Sequence, residues 1–165
     1  MKKSTFVILS LGVTLLIASC KKEDVAANTS ANKASASVSG TAQWRSLNWT
    51  NSKDDSVTTY SSKISDSSIN ENIASTGLVL VFKKNNSTVE SLPAQDKDLN
   101  TYWYYQVANG AVTINGDSKS DQNMSGQSFS YFVITSEKLS ALEAQGKTKG
   151  DLLQLTYDEA VALLK

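Results

Sequence analysis

The stretch Thr101-Tyr102-Trp103-Tyr104-Tyr105-Gln106-Val107 sets four consecutive aromatic residues in a chain otherwise crowded with serine, threonine, asparagine and lysine. Side chains alternate across a strand, so Trp103, Tyr105 and Val107 share one face and Tyr102, Tyr104 and Gln106 the other. The set ending in Val107 is the better core face. Asn109-Gly110 follows and separates this run from a second one at 111–115. An Asn-Gly pair supplies the backbone that a two-residue hairpin turn needs. Asn115-Gly116-Asp117 is expected to end the second strand.

Outward from this hairpin, short apolar or alternating runs predict strands at 42–49, 57–64, 78–84, 87–92 and 127–135. A helical turn is expected over 68–74, and the Gly/Asn/Ser-rich residues 116–126 read as the longest loop. The last thirty residues change character. Ser136 is expected to cap a helix over 137–145 that stops at Gly146. Thr156-Tyr157-Asp158-Glu159 fits a capping box, and Ala160, Val161, Leu163 and Leu164 follow as an apolar stripe. The expected fold is mainly β: a two-sheet antiparallel sandwich of about seven strands with one or two short C-terminal helices.

The sandwich leaves some aromatics without a core. Leu47 and Trp49 share a face with Arg45, while Trp44 joins Ser46 and Asn48. Trp44, Tyr102 and Tyr104 therefore point away from a simple core and are the candidate ligand-binding residues, because aromatic faces stack on sugar rings and on partner side chains. A second reading competes with this one. Runs at 78–82 and 131–134 are apolar on both faces, as in a sheet covered on both sides, and the C-terminal stripe is the obvious cover. On that reading Tyr102 and Tyr104 lie under the tail.

Forty per cent hydrophobic residues in 165 suffice for one real core. Histidine is absent, which removes the commonest general base and metal ligand. The only cysteine is Cys20, so the folded part has no internal disulfide, zinc-thiolate site or thiol nucleophile. No cofactor or metal is expected.

The N-terminus reads as an address. Met1-Lys2-Lys3 precedes an apolar run too short to span a membrane comfortably, and its flanks fit a signal peptide. Leu16-Ile17-Ala18-Ser19-Cys20 resembles the bacterial lipobox, which implies a signal peptide at 1–19 and a lipid anchor on Cys20. Lys22, Glu23 and Asp24 resemble the signal that exports Bacteroidota lipoproteins to the cell surface. The implied location is the outer membrane, at the cell surface, with the periplasmic leaflet as the alternative. Residues 20–41 read as the lipidated cysteine and a flexible tether with a reach of about 25 Å, and 42–165 as the sandwich with its helical tail. Loss of Lys2 and Lys3 with residues 1–19 leaves 14 basic against 16 acidic residues, a balance that offers no footprint for nucleic acid.

The succession Gly77-Leu78-Val79-Leu80-Val81-Phe82, Leu92-Pro93, the aromatic strand, Phe129-Ser130-Tyr131-Phe132-Val133-Ile134 and Leu155-Thr156-Tyr157-Asp158-Glu159 resembles a family of small uncharacterised Bacteroidota cell-envelope lipoproteins. The resemblance covers roughly residues 44–164 and implies a β-rich lipoprotein domain with no established activity; the segment between Ile134 and Thr156 is longer here.

Other candidates are weaker in chemistry. Asp96-Lys97-Asp98-Leu99-Asn100 begins like a calcium loop but has Thr101 and Val107 where that loop needs Gly and Glu, so a solvated turn is expected. Asp117 and Asp121 are scattered acids in the expected loop. Glu90, Asp96 and Asp98 form the only carboxylate cluster that glycoside hydrolysis would have to use. Asp55-Ser56-Val57 resembles an O-glycosylation motif of exported Bacteroidota proteins and marks an exposed turn. The reading that follows is a lipid-anchored binding or adhesion module for carbohydrate or another envelope protein, ahead of a purely structural envelope component and of a glycoside hydrolase.

Overall fold

A computed structural model describes residues 43–86 and 88–164 together with a short strand, β1, at Val38–Ser39. The strands that follow are β2 (Arg45–Ser46), β3 (Thr50–Asp54), β4 (Val57–Ser65), β5 (Leu78–Asn85), β6 (Thr88–Ser91), β7 (Ala94–Asp96), β8 (Thr101–Ala108), β9 (Ala111–Ser118) and β10 (Ser128–Ile134). Helix α1 (Glu71–Thr76) precedes β5, and α2 (Ser136–Ala144), α3 (Lys149–Leu153) and α4 (Tyr157–Leu164) follow β10. The strands form two antiparallel sheets, as expected.

The first sheet runs β1-β10-β5-β6, with β2 beside β1 on the same edge of β10. The second runs β3-β4-β9-β8-β7. Their facing sides build the main core from Tyr60 and Ile64 of β4, Val112 and Ile114 of β9, Trp103 of β8, Val79 and Val81 of β5, and Phe129, Tyr131 and Val133 of β10. Trp103 is fully buried. Its ring meets Trp49 at 5.4 Å and Phe129 at 5.3 Å, tilted or edge-on as aromatic quadrupoles prefer. Buried polar groups are tied across the core: Tyr131 donates its hydroxyl to Asp66 Oδ2 at 2.6 Å, and Tyr105 donates to the Val79 carbonyl at 2.6 Å. Burial, with the Asp66 carboxylate beside it, pushes Tyr131 up to about 12, so it stays a donor throughout the usual pH range.

The β8–β9 hairpin forms as its sequence predicts. Ala108 pairs with Ala111, and Gly110 takes a φ of +79°. β9 does not end at Asn115, however, and runs on to Ser118. Gly116 is a packing residue here, not a turn residue. A Cβ built on it would lie 2.8 Å from Trp103 Cζ3, so only glycine lets the indole lie flat on β9.

Two unexpected strands share one cause. β3 (Thr-Asn-Ser-Lys-Asp) is exposed at every position and β7 is only three residues long, so neither carries the apolar alternation that marks a half-buried strand. β2 is confined to Arg45–Ser46, where it meets Phe129 and Ser128. β1 lies inside the stretch expected as tether and pairs Val38 with Ile134.

The outer side of the first sheet presents Leu80, Phe82, Phe132 and Ile134, and the helices cover it with Leu139, Leu142, Leu152, Ala160 and Leu164. The tail does dock on a sheet with two apolar faces. That sheet is β10-β5, not β8. α2 is capped by Thr135 one residue before the expected Ser136, because Thr135 keeps an extended backbone and accepts the Lys138 N–H. The capping box before α4 is present, with the Thr156 N–H donating to Glu159 Oε2 at 2.8 Å and the Glu159 N–H to Thr156 Oγ1 at 3.3 Å. A second box, Thr148 with Asp151, opens the unexpected α3.

Candidate functional site

No described helix lies over the outer face of the second sheet. Register places Gln95, Tyr102, Asp117 and Thr59 in one cross-strand row, and Tyr104, Asn115 and Ser61 in the next. Tyr102 is 45% exposed and Tyr104 half-buried, and their rings stack with centroids 5.8 Å apart and planes 25° from parallel. The expectation that the tail buries both tyrosines is therefore corrected.

The tyrosines stand on a hydrogen-bonded floor. Thr59 donates its hydroxyl to Asp117 Oδ1 at 2.7 Å, and Ser61 donates to Asn115 Oδ1 at 2.7 Å. Tyr104 donates to Asp117 Oδ1 at 3.5 Å; desolvation and the Asp117 charge raise its pKa, so the phenol remains protonated. Beside Tyr102 the surface dips into a depression of about 510 Å³ whose lining includes Gln95, Lys97, Asn100, Asp117 and Lys119. An aromatic plate next to mixed donors and acceptors is chemically suited to a flat, hydroxyl-rich ligand.

Trp44 is not part of this surface. Its ring lies 4.8 Å from Tyr157 and 5.7 Å from Lys84 Nζ, in the layer between the first sheet and the helices. The alternation did turn Trp44 away from the main core, but the outward side of the first sheet is covered. Three residues of this outer face escape the reading of an aromatic binding surface: Asn115, which is buried, Asp117, which the sequence gives only as a scattered loop acid, and Gln95. The two-residue turn at Asn109-Gly110 could have found the first two, because it sets Tyr104 opposite Asn115 and Tyr102 opposite Asp117.

The carboxylates 90, 96 and 98 line a polar recess of about 480 Å³, at whose inner side a buried lysine ties Asp96 down. Lys83, pointing inward from β5, is 1% exposed and reaches Asp96 Oδ2 at 2.5 Å and Glu90 Oε2 at 3.4 Å. Asp96 is 4% exposed, so the expected solvated turn is corrected: its side chain is a buried anchor. Its other oxygen accepts the Asp98 and Leu99 N–H groups. Burial would raise the Asp96 pKa, but the Lys83 hydrogen bond and these backbone donors outweigh it and hold the carboxylate below its ordinary value. The Trp103 ring lies over the same ammonium at 5.8 Å. Among the described residues no group of three or more His, Cys, Asp or Glu is placed to hold a metal ion.

Asp55 and Ser56 form the tip of the β3–β4 hairpin, both exposed, with Asp55 at a φ of +48°. Asp121 is exposed in the loop after β9. Cys20, Lys22, Glu23 and Asp24 lie outside the described residues, and no described helix is long and apolar enough to cross a membrane. No family model, curated protein or solved structure matches this chain.

Proposed function

We propose that this chain is a lipid-anchored protein of the outer membrane, displayed at the cell surface, whose sandwich binds carbohydrate on the outer face of its second sheet. The observation that carries the reading is the stacked Tyr102–Tyr104 pair on an uncovered face, above the Thr59–Asp117 and Ser61–Asn115 hydrogen bonds. A sugar ring laid on Tyr102 would cover apolar C–H surface while its hydroxyls meet Gln95, Asp117 and the lysines of the adjoining depression. The polar floor is preorganised, which limits the entropy lost on binding. Carbohydrate is favoured over a protein ligand because the exposed face is mostly polar, with Tyr102 its one largely exposed aromatic residue.

Binding is tested on a glycan array followed by titration calorimetry of the best hit. The double substitution Tyr102→Ala, Tyr104→Ala is expected to weaken binding at least about tenfold, as loss of aromatic anchors does. Tyr102→Ala alone is expected to change stability by about 1 kcal/mol or less, since it is an exposed strand position. Unchanged affinity in the double variant rules out the face.

The anchor rests on the lipobox-like Leu16–Cys20 segment. Cys20→Ala is expected to abolish incorporation of labelled lipid and to leave the unprocessed precursor; normal labelling in that variant overturns the anchor.

A further inference from the structure

A lysine buried between two sheets, in contact with two carboxylates, is chemically more than a structural ion pair. Lys83 lies on β5 of the first sheet and Asp96 on β7 of the second, so their 2.5 Å contact joins the sheets. Glu90 is the direct β6 partner of Lys83 in the register, and its carboxylate touches the same Nζ at 3.4 Å. Its side chain is 36% exposed, whereas those of Lys83 and Asp96 are 2% and 4% exposed. The buried pair is thus connected to water through Glu90.

We propose that Lys83 and Asp96 condense spontaneously into an intramolecular amide that covalently joins the two sheets, with Glu90 relaying the protons. The resting pair is an ammonium and a carboxylate. Glu90 takes one proton from the ammonium, which frees the Nζ lone pair, and passes it to an Asp96 oxygen, so that a neutral amine faces a neutral carboxyl group. That lone pair attacks Asp96 Cγ, and the C–O bond to one carboxylate oxygen breaks. The departing oxygen leaves as water, carrying the two protons that Lys83 gives up; one of them arrives through Glu90, which ends as it began. Three protons on nitrogen and two oxygens on carbon become one amide N–H, one carbonyl and one water. Charge is conserved, and no oxidant, reductant or further reactant is needed.

Four features favour the condensation. Held reactants behave as though their concentration were very high, with effective molarities of well-oriented intramolecular reactions reaching about 10⁵–10⁸ M. Burial penalises both charges, and a neutral amide removes two of them from the interior at once. Water is excluded on the Trp103 side, where the ring covers the amine, yet a polar recess of about 480 Å³ beside Glu90 and Asp98 offers the released water an exit. The Asp98 and Leu99 N–H groups on Asp96 Oδ1 hold the carboxyl in place and stand ready to stabilise the negative oxygen that forms on attack.

The test is peptide mapping by mass spectrometry of the full chain after denaturation and protease digestion. The expected result is one branched peptide that joins the segments containing Lys83 and Asp96, lighter than their sum by one water. Trypsin will not cleave after Lys83. Separate, unmodified Lys83 and Asp96 peptides overturn the proposal and leave only an ion pair. A water loss mapped to any other residues overturns it equally. Glu90→Gln changes a partly exposed carboxylate and should leave the fold intact, as judged by its circular dichroism. In that folded variant the branched peptide is expected to fall at least about tenfold, in line with the typical contribution of a positioned proton-transfer group. An undiminished branched peptide in folded Glu90→Gln removes Glu90 from the reaction.

Discussion

Trp103→Ala is expected to destabilise the domain by about 3–5 kcal/mol, the range for deleting a large buried aromatic side chain. The indole is completely buried between Trp49, Phe129 and the bare backbone of Gly116. Truncation also strips the aromatic cover from the Lys83 ammonium. One term works in the other direction. The buried Trp103 Nε1 has no hydrogen-bond partner among the described residues, so its removal relieves a desolvation cost and keeps the loss from being larger. Urea unfolding followed by circular dichroism reads the result as a lowered midpoint at unchanged slope. A loss below about 1 kcal/mol, the size expected for exposed Tyr102, would mean that the two faces of β8 are assigned the wrong way round.

Deletion of residues 148–165 is expected to abolish cooperative unfolding altogether. It removes α3 and α4, and with them Leu152, Ala160 and Leu164, all buried, and Tyr157, which packs on Phe82, Phe132 and Trp44. Each leucine contributes about 1.5–3 kcal/mol by burial, and the deletion also returns to water the part of the outer face of β5 and β10 that α2 does not cover. Set against a total stability of about 5–15 kcal/mol, that loss leaves little or no margin. Differential scanning calorimetry of the truncated chain decides the matter. A sharp transition within a few degrees of the intact protein would show that the helices add nothing to the sheet beneath them. The two experiments are independent, because Trp103 and the tail pack on opposite sides of the first sheet.

The elements legible in the sequence are those whose signals are local. The alternation in 101–107 chose the buried face of β8 correctly, since Trp103 is fully buried and Tyr102 is not. Asn109-Gly110 marked its hairpin because a positive φ at Gly110 depends only on adjacent residues. Gly146, at a φ of +83°, closes the turn after α2, and Thr156 with Glu159 forms its capping box for the same reason: each is decided within one helical turn. The continuous apolar runs in β5 and β10 correctly announced a sheet covered on both sides.

What tertiary structure alone decided is which surfaces meet. Period-two alternation separates two faces of a strand but does not say whether the outward one finds a helix or water. The helices dock behind β5 and β10 because Leu80, Phe82, Phe132 and Ile134 give them an apolar surface; behind β4, β9 and β8 they would have met Asn115, Asp117, Thr59 and Ser61 and stripped water from polar groups without replacing their bonds. That choice exposes Tyr102 and covers Trp44, two aromatics the sequence treats alike. Lys83 and Asp96, thirteen positions apart, meet only because β6 returns the chain and β7 crosses to the other sheet. A lysine in an inward position signals that a partner must exist, since an unpaired buried charge costs too much, but its identity depends on how the two sheets are laid against each other.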